Sequence, residues 1–270
     1  MSYLHLSHLA TTIREMITEC ADVGQLLHEK GWAEGNGGNL SIRLEMPLDK
    51  WWISEEKPEI ISKYPLQVDF PNLNGQFVLI KGAGKRMRDI IKKPDQTLCI
   101  GKAEGKEFHT YWPTNKTIKP SSEINSHLAI QNYLIAENKT QNTVLHSHPT
   151  ELIAMSNLME VSSAPKLNYF LKSVNPSVSI FLPEGIGYIP FEIPTSVSLM
   201  EKTMNIIDKY NLILWAKHGV ICKGSNLMEC FDLIDIVNKS AKYLLATNQF
   251  TLNLLDEDTI DAIEQHFHGE

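Results

Sequence analysis

The sequence is short of basic residues and of long apolar runs. Its 270 residues include 25 Lys and Arg against 32 Asp and Glu, which gives a formal net charge of −7. Proteins that bind DNA or RNA need clustered Lys and Arg for phosphate contacts, so we expect no nucleic-acid partner. Because no segment reaches about 18 consecutive apolar residues, we also expect no membrane-spanning helix and no membrane partner.

Cysteine is scarce as well. The four cysteines are too few and too scattered for a disulfide framework, and none belongs to a C-x-x-C pair that would indicate a thiolate zinc site. The first residues lack the basic start and apolar core of a secretory signal. These features together predict a protein of the reducing cytoplasm.

Three phosphate-binding and nucleophile motifs are also missing. The sequence contains no G-x-x-x-x-G-K-[ST] loop, no G-x-G-x-x-G at the start of a βαβ unit and no G-x-S-x-G elbow. We therefore expect neither a dinucleotide cofactor nor a serine hydrolase. If the protein holds a phosphate, it must do so with another local device.

Apolar spacing predicts helices and strands that alternate along the chain. Residues 8–30 carry apolar side chains at helical intervals. Further helices are predicted over 121–136, 195–209, 226–247 and 256–267. Strands are predicted over 76–80, 143–148, 178–182, 186–191 and 212–216, with a short strand at the end of the segment 35–43 and a hairpin over 97–112. This pattern is typical of an α/β fold with a mixed or antiparallel sheet covered by helices. With no internal repeat and no linker, one domain over 1–270 is expected.

The sharpest local motif is His146-Ser147-His148 in a predicted strand. Side chains two residues apart in a strand share a face, which would place both imidazoles together. Paired imidazoles suit a transition metal, most often zinc. The alternative is an ordinary pair of strand histidines, one solvated and one hydrogen-bonded.

His218 is the best candidate for a third ligand, since it follows an apolar strand and precedes Gly219. A glycine there allows close approach to the backbone. Three histidines with one open position form the catalytic zinc pattern, whereas closed four-ligand sites are structural. An ordinary loop histidine is the alternative.

Glu123 is the candidate acid or base, because it follows Pro120-Ser121-Ser122 in the first turn of a predicted helix with Ser121 as N-cap. A capping-region carboxylate, favoured by the helix dipole, is the alternative. His127 lies on the same helical face. A buried, hydrogen-bonded histidine is the favoured interpretation, with a partner of Glu123 or a spare ligand as the others.

Three polar turns rich in glycine or serine remain: Asn36-Gly37-Gly38-Asn39, Lys81-Gly82-Ala83-Gly84 and Ser121-Ser122. Glycine exposes backbone N–H groups, Asn and Ser add donors, and a helix N-terminus adds partial positive charge. Together these turns could hold a phosphate dianion without a basic surface.

The chain carries, in this order, the three turns with Glu123 directly after the last of them, then His146-x-His148-Pro149 and His218-Gly219. With these motifs the sequence resembles the class II (zinc-dependent) sugar-phosphate aldolase family. The resemblance covers about residues 8–247. It implies a three-layer α/β/α fold with a central, largely antiparallel mixed sheet. It also implies a homotetramer with active sites at subunit interfaces. In each subunit it implies one Zn²⁺ bound by His146, His148 and His218, with Glu123 as the catalytic carboxylate. The residues that it implies for binding the substrate phosphate are Asn36, Gly38, Asn39, Gly84, Ser121 and Ser122.

The resemblance further implies a lyase that cleaves a small phosphorylated ketose. The chain length and the extra segment at 45–75 make the sequence most similar to the rhamnulose branch of the family, whose substrate is L-rhamnulose 1-phosphate. L-fuculose-phosphate aldolase or ribulose-phosphate 4-epimerase chemistry on the same site remains an alternative. A non-catalytic, adducin-like interaction module is another, although such a module would be expected to lose the histidine ligands.

Overall fold

The computed structural model describes residue 6 and residues 8–54, 58–114 and 117–269. Its helices are α1 (Thr11–Glu29), α2 (Leu48–Trp51), α3 (Pro94–Thr97), α4 (Ile124–Ala136), α5 (Thr150–Met155), α6 (Ala164–Val174), α7 (Pro176–Phe181), α8 (Val197–Met204), α9 (Leu227–Thr247) and α10 (Glu257–His268). Its strands are β1 (Asn39–Leu44), β2 (Ser62–Pro65), β3 (Phe77–Lys81), β4 (Leu98–Glu104), β5 (Glu107–Trp112), β6 (Thr143–Ser147), β7 (Gly187–Ile189), β8 (Leu212–Trp215) and β9 (Gly219–Gly224).

The strands form one mixed sheet in the order β2-β5-β4-β3-β1-β6-β9-β8-β7. The pairs from β2 to β6 are antiparallel, as is β8 with β9, while β7 runs parallel to β8. The prediction of an α/β fold with a largely antiparallel mixed sheet is therefore confirmed.

The chain divides into two compact units, of which the first comprises Met1–Ser147 and Lys223–Met228. Every residue of β1, β3 and β6 is buried, as expected for strands covered on both faces. Helix α4 contacts β1 and β6, and α1 contacts a short 3₁₀ turn at Met87–Asp89. Gly24 permits that second contact, because a Cβ there would lie 2.7 Å from the carbonyl oxygen of Met87.

The second unit comprises His148–Cys222 and Glu229–Glu270. Its strand β8 is apolar and fully buried, and it pairs with β7 on one side and β9 on the other. Helix α7 packs against α6 and α10. Between β8 and β9 the chain makes a tight turn, in which Lys217 adopts a positive φ of 63°.

Two predicted elements, one helix and one strand, need correction. Helix α4 begins at Ile124, so Glu123 is its N-cap residue and Ser121 lies in the preceding turn. The reason is that Ser121 donates its backbone N–H to the carbonyl oxygen of Lys81, 2.9 Å away, which ties residues before Glu123 to the end of β3. The second is the strand predicted over 178–182, because residues 178–181 belong to helix α7 and Leu182 follows its end.

The identity of α7 depends on its first residues. Val178, Ile180 and Phe181 favour a strand by propensity. However, the Asn175 side chain accepts a hydrogen bond of 3.1 Å from the Ser177 N–H, and Pro176 occupies the first helical position. Capping and packing against α6 and α10 therefore outweigh the local preference.

The other predicted elements are confirmed with shifted ends, and the structure adds six that were not predicted: α2, α3, α5, α6, β2 and β9. The hairpin over 97–112 is formed by β4 and β5; Gly105 lies in its turn, whereas Gly101 lies at a register shift within β4. Cys20, Cys99, Cys222 and Cys230 are all buried, and none of the four forms a disulfide. Among the helices of the described ranges, none has the length and apolarity needed to cross a bilayer.

Candidate active site and metal centre

The three histidines that the sequence predicts as ligands come together. One nitrogen from each of His146, His148 and His218 lies within 4.8 Å of the other two. His146 is buried at the end of β6, whereas His148 lies just beyond the strand, so the strand is one residue shorter than predicted. Three imidazole nitrogens at this separation could hold a transition-metal ion and leave a coordination position open.

His218 owes its position to the turn between β8 and β9. Its backbone N–H donates to the carbonyl oxygen of Trp215, 3.0 Å away, which closes the turn. The imidazole stacks on the Trp215 ring with centroids 5.3 Å apart, and its centroid lies 5.7 Å from that of His148. The turn and the indole together restrict the orientation of the His218 ring.

Glu123 lies beside the first of these histidines. Its Oε2 is 3.3 Å from Nε2 of His146, and the residue is only 6 % exposed. The Glu123 backbone N–H donates to the Ser121 hydroxyl over 3.2 Å. A carboxylate so close to a metal-ligand candidate can either accept a proton from a bound substrate or return one to it.

A chain of buried hydrogen bonds orients the Glu123 carboxylate. Nδ2 of Asn39 donates to Oε2 of Glu123 over 2.8 Å. This orientation of the amide directs Oδ1 of Asn39 towards Nε2 of His127, which must therefore carry the donated proton. Nδ1 of His127 then accepts from the Ser41 hydroxyl at 2.9 Å. The interpretation of His127 as a buried, hydrogen-bonded histidine is confirmed, and its connection to Glu123 runs through Asn39.

The electrostatic environment keeps the His127 imidazole neutral. Its pKa is lowered to about 4, mainly by burial; the negative charge of Glu123 opposes this effect, and the positive charge of Lys81 adds to it. A neutral ring is what the hydrogen-bond pattern requires, because Nδ1 can accept from Ser41 only when it is unprotonated.

We expect His127 to make the protein sensitive to acid. Its folded-state pKa of about 4 is below the unfolded value of 6.5. Between these two pH values the unfolded chain therefore binds a proton at His127 that the folded chain does not bind. Stability should therefore fall as the pH drops below 6.5, by about 2 kcal/mol between pH 7 and pH 5. The measurement is urea unfolding of metal-free protein at both pH values, comparing wild type with His127→Gln.

The matched control is His28→Gln, since His28 is exposed on α1. The pH-dependent loss should shrink in His127→Gln and persist in His28→Gln. Equal losses in all three proteins would contradict the assignment of acid sensitivity to His127.

The residues predicted to bind phosphate lie in three turns of the first unit. Asn36, Gly84 and Ser122 are exposed, whereas Gly38, Asn39 and Ser121 are buried. Gly38 adopts a φ of 68°, and a Cβ there would lie 3.2 Å from the carbonyl oxygen of His146. Their role in binding phosphate stays a prediction.

Sequence reasoning missed two contributions at this site, because it named Lys81 only as part of a turn and did not connect His127 to Asn39. Lys81, the last residue of β3, is 3 % exposed and donates from Nζ to backbone carbonyls of the first turn. The second is the link from His127 to Asn39. A lysine that ends an otherwise apolar strand is a weak local signal, and nothing in the sequence pairs position 127 with position 39.

Comparisons with known proteins identify the family of the chain. A family model described as "Class II Aldolase and Adducin N-terminal domain" matches residues 18–245. The chain is 34 % identical over 234 residues to the rhamnulose-1-phosphate aldolase of Bacteroides thetaiotaomicron, with 86 % of each protein covered.

Solved structures extend the comparison to the fold. The sugar-phosphate aldolase of Thermotoga maritima is 31 % identical, with a TM-score of 0.75 over 90 % of this chain and 98 % of that one. The L-fuculose-1-phosphate aldolase of Thermus thermophilus is 14 % identical, with a TM-score of 0.56 over 87 % and 94 % of the two chains, so it shows the fold alone. With its family model matched over most of its length, the chain belongs to the class II aldolase and adducin N-terminal domain family.

Proposed function

We propose that the protein is a zinc-dependent aldolase that cleaves L-rhamnulose 1-phosphate to dihydroxyacetone phosphate and L-lactaldehyde in L-rhamnose degradation. The observation that carries this proposal is the group of His146, His148 and His218 with Glu123 beside His146. The choice of substrate is supported by the 34 % identity to a rhamnulose-1-phosphate aldolase over 86 % of both chains. One catalytic domain over 1–270 is part of the proposal.

The donor chemistry of the three histidines fits zinc. Neutral imidazoles are among the preferred ligands of Zn²⁺, and three protein ligands leave a fourth position for substrate. When bound, zinc would act as a Lewis acid on the ketose carbonyl, which supports cleavage of the neighbouring carbon–carbon bond. We propose one zinc ion per subunit.

Glu123 is proposed as the group that moves the proton at C3. When the bond between C3 and C4 breaks, its electron pair stays with C3, and the C4 hydroxyl loses its proton as the aldehyde forms. C3, which remains in dihydroxyacetone phosphate, must then gain a proton. The Glu123 carboxyl, held at Oε2 by Asn39, would deliver that proton in cleavage and remove it in the reverse reaction. A positioned acid or base of this kind accelerates reactions by typically about 10²- to 10⁴-fold.

The three turns are proposed to hold the substrate phosphate. Asn36, Gly38, Asn39, Gly84, Ser121 and Ser122 offer amide, hydroxyl and backbone N–H donors. Binding at a phosphate remote from C3 would orient the reacting carbon relative to Glu123 and so reduce the entropic part of the barrier.

Assembly and location are also proposed. By resemblance to its family we propose a homotetramer whose active sites lie at subunit interfaces. We further propose a cytoplasmic location, in keeping with four buried cysteines that form no disulfide.

A panel of ketose phosphates tests the proposed reaction. The purified zinc-loaded protein is given L-rhamnulose 1-phosphate, L-fuculose 1-phosphate and L-ribulose 5-phosphate, the last as an epimerase substrate. Dihydroxyacetone phosphate is followed by coupled oxidation of NADH, and isomers are followed by chromatography. We expect the highest kcat/KM for cleavage of L-rhamnulose 1-phosphate.

Each other outcome points to a defined alternative. A preference for L-fuculose 1-phosphate would replace the substrate and keep the reaction. Isomer formation without aldehyde release would indicate a 4-epimerase. No turnover of any sugar phosphate by zinc-loaded protein would contradict the proposal and favour an interaction module.

A further inference from the structure

Lys81 is a buried cation that the proposed reaction does not use. The residue ends β3 and is 3 % exposed. Burial lowers its pKa to about 8, while the negative charge of Glu123 acts in the opposite direction. Placing an ammonium group in such a position is costly unless it is well paired, so its partners indicate what it does.

The side chain of Lys81 holds the first glycine-rich turn. Nζ donates to the backbone carbonyl oxygens of Asn36 and Gly38, over 2.8 and 2.6 Å. Both acceptors are neutral carbonyl oxygens, so neither of them cancels the positive charge of the ammonium. Short hydrogen bonds from a charged donor are also stronger than those between neutral groups, and they restrict the conformation of the turn.

The backbone of Lys81 connects the other two turns. Its carbonyl oxygen accepts from the Ser121 N–H at 2.9 Å, and the N–H of Ala83 donates to the carbonyl of Lys119 over 2.8 Å. Gly82 pairs with Pro120 in an isolated bridge. The turn over 81–84 and the turn at 121–122 are thus joined at the residue whose side chain holds the turn over 36–39.

The buried Lys81 contacts or belongs to three turns that each carry an exposed group. Asn36, Gly84 and Ser122, one from each turn, are open to solvent, whereas Lys81 is not. A positive charge in a buried, low-dielectric position acts more strongly on a nearby anion than the same charge in water. This geometry suits an anion that is bound by neutral donors of the three turns and stabilised by the positive charge of the buried Lys81.

We propose that Lys81 is a positioning residue of the phosphate-binding site, which holds the Asn36–Gly38 turn and supplies the buried positive charge beneath the bound phosphate. The proposal deepens the proposed function, since it rests on a phosphorylated substrate that binds at these three turns. Lys81 acts through the turns and through its charge, and it makes no contact with the reacting carbon.

The first experiment measures binding of inorganic phosphate to the zinc-loaded protein by calorimetry. Lys81→Met removes both the charge and the donors, and Lys81→Gln keeps a donor without the charge. We expect Lys81→Met to weaken phosphate binding by about 10- to 100-fold and Lys81→Gln by an intermediate factor. The control is Lys63→Met, because Lys63 is an exposed lysine paired with Glu107 at 3.6 Å. It should leave phosphate affinity unchanged.

A second readout separates positioning from a general loss of structure. If Lys81 serves the phosphate site, KM for the ketose phosphate rises in parallel with the phosphate Kd while kcat per folded molecule is retained. A merely structural role would lower the folded fraction, and therefore the apparent kcat, without changing the phosphate Kd. Circular dichroism supplies the folded fraction of each variant.

A third measurement uses the wild-type protein, so it tests the role of Lys81 even if the variants fail to fold. Between pH 8 and pH 9.5 inorganic phosphate stays a dianion, while Lys81 loses its proton. Glu123 and His127 are the titratable groups coupled to Lys81, and His127 is already neutral there. Phosphate affinity should therefore fall over this range, and a constant affinity would overturn the proposal.

The outcomes distinguish this proposal from the proposed function. Suppose that the wild type cleaves a ketose phosphate while Lys81→Met and Lys81→Gln bind phosphate as tightly as the wild type does. This result would overturn the role of Lys81 and leave the proposed reaction intact. Lys81-dependent phosphate binding without turnover would overturn the proposed reaction and support the anion site. Failure of the wild-type protein to bind phosphate would overturn the role of Lys81.

Discussion

Glu123→Gln is expected to lower kcat by about 10²- to 10⁴-fold while the protein keeps its zinc. The amide cannot take up or release a proton at the pH of the assay, so the transfer at C3 loses its catalyst. The side chain is nearly isosteric, and the amide oxygen of Gln can still accept from Nδ2 of Asn39. The fold and the buried hydrogen bonds should therefore survive, which isolates the chemical contribution.

A half-reaction makes this test sharper. In deuterated water the wild-type enzyme should exchange one C3 hydrogen of dihydroxyacetone phosphate in the absence of aldehyde, and NMR detects the exchange. Glu123→Gln should lose this exchange along with turnover. The matched control is Glu137→Gln, because Glu137 is exposed at the other end of α4. If Glu123→Gln exchanged this hydrogen at the wild-type rate, Glu123 would not be the group that moves the proton at C3.

Loss of the metal is expected to have an equally large effect. Protein dialysed against a chelator should retain almost no cleavage activity, because Lewis-acid stabilisation is worth several kcal/mol, or roughly 10³-fold or more in rate. Zinc addition should restore activity. Metal analysis of carefully purified wild type should give about one zinc per chain, as expected for a single three-histidine site.

His218→Ala is the variant best suited to test the ligand set. His146 lies 3.3 Å from Oε2 of Glu123, so its substitution would disturb the carboxylate as well as the metal. His218 lies in a turn and is half-buried, so truncation should cost zinc affinity with little effect on folding.

The control for His218→Ala is His28→Ala, an exposed histidine on α1. It should bind zinc and turn over substrate as the wild type does. Retention of full zinc content and activity by His218→Ala would show that the metal is held elsewhere, and full activity in demonstrably zinc-free wild type would contradict a metal-dependent reaction.

Local sequence determined most of the secondary structure. Helices α1, α9 and α10 and the strands β1, β3 and β8 follow apolar spacing that the chain carries within each segment. Helix α7 does not, because its apolar residues favour a strand while Asn175 and Pro176 set a helical start. Short elements depend on capping and packing, and those contacts come from α6 and α10 rather than from the segment itself.

The sequence by itself also determined the chemistry of the site. The His146-x-His148 spacing, His218 before a glycine and Glu123 behind a pair of serines are local features, and their side-chain types restrict what each can bind or exchange. What only the tertiary structure decided is how Glu123 is held and where the buried charge lies. Asn39 and His127 are 88 positions apart, and Lys81 and Asn36 are 45 apart. Such pairs meet only because strand register and helix packing bring them together, and no local pattern encodes that register.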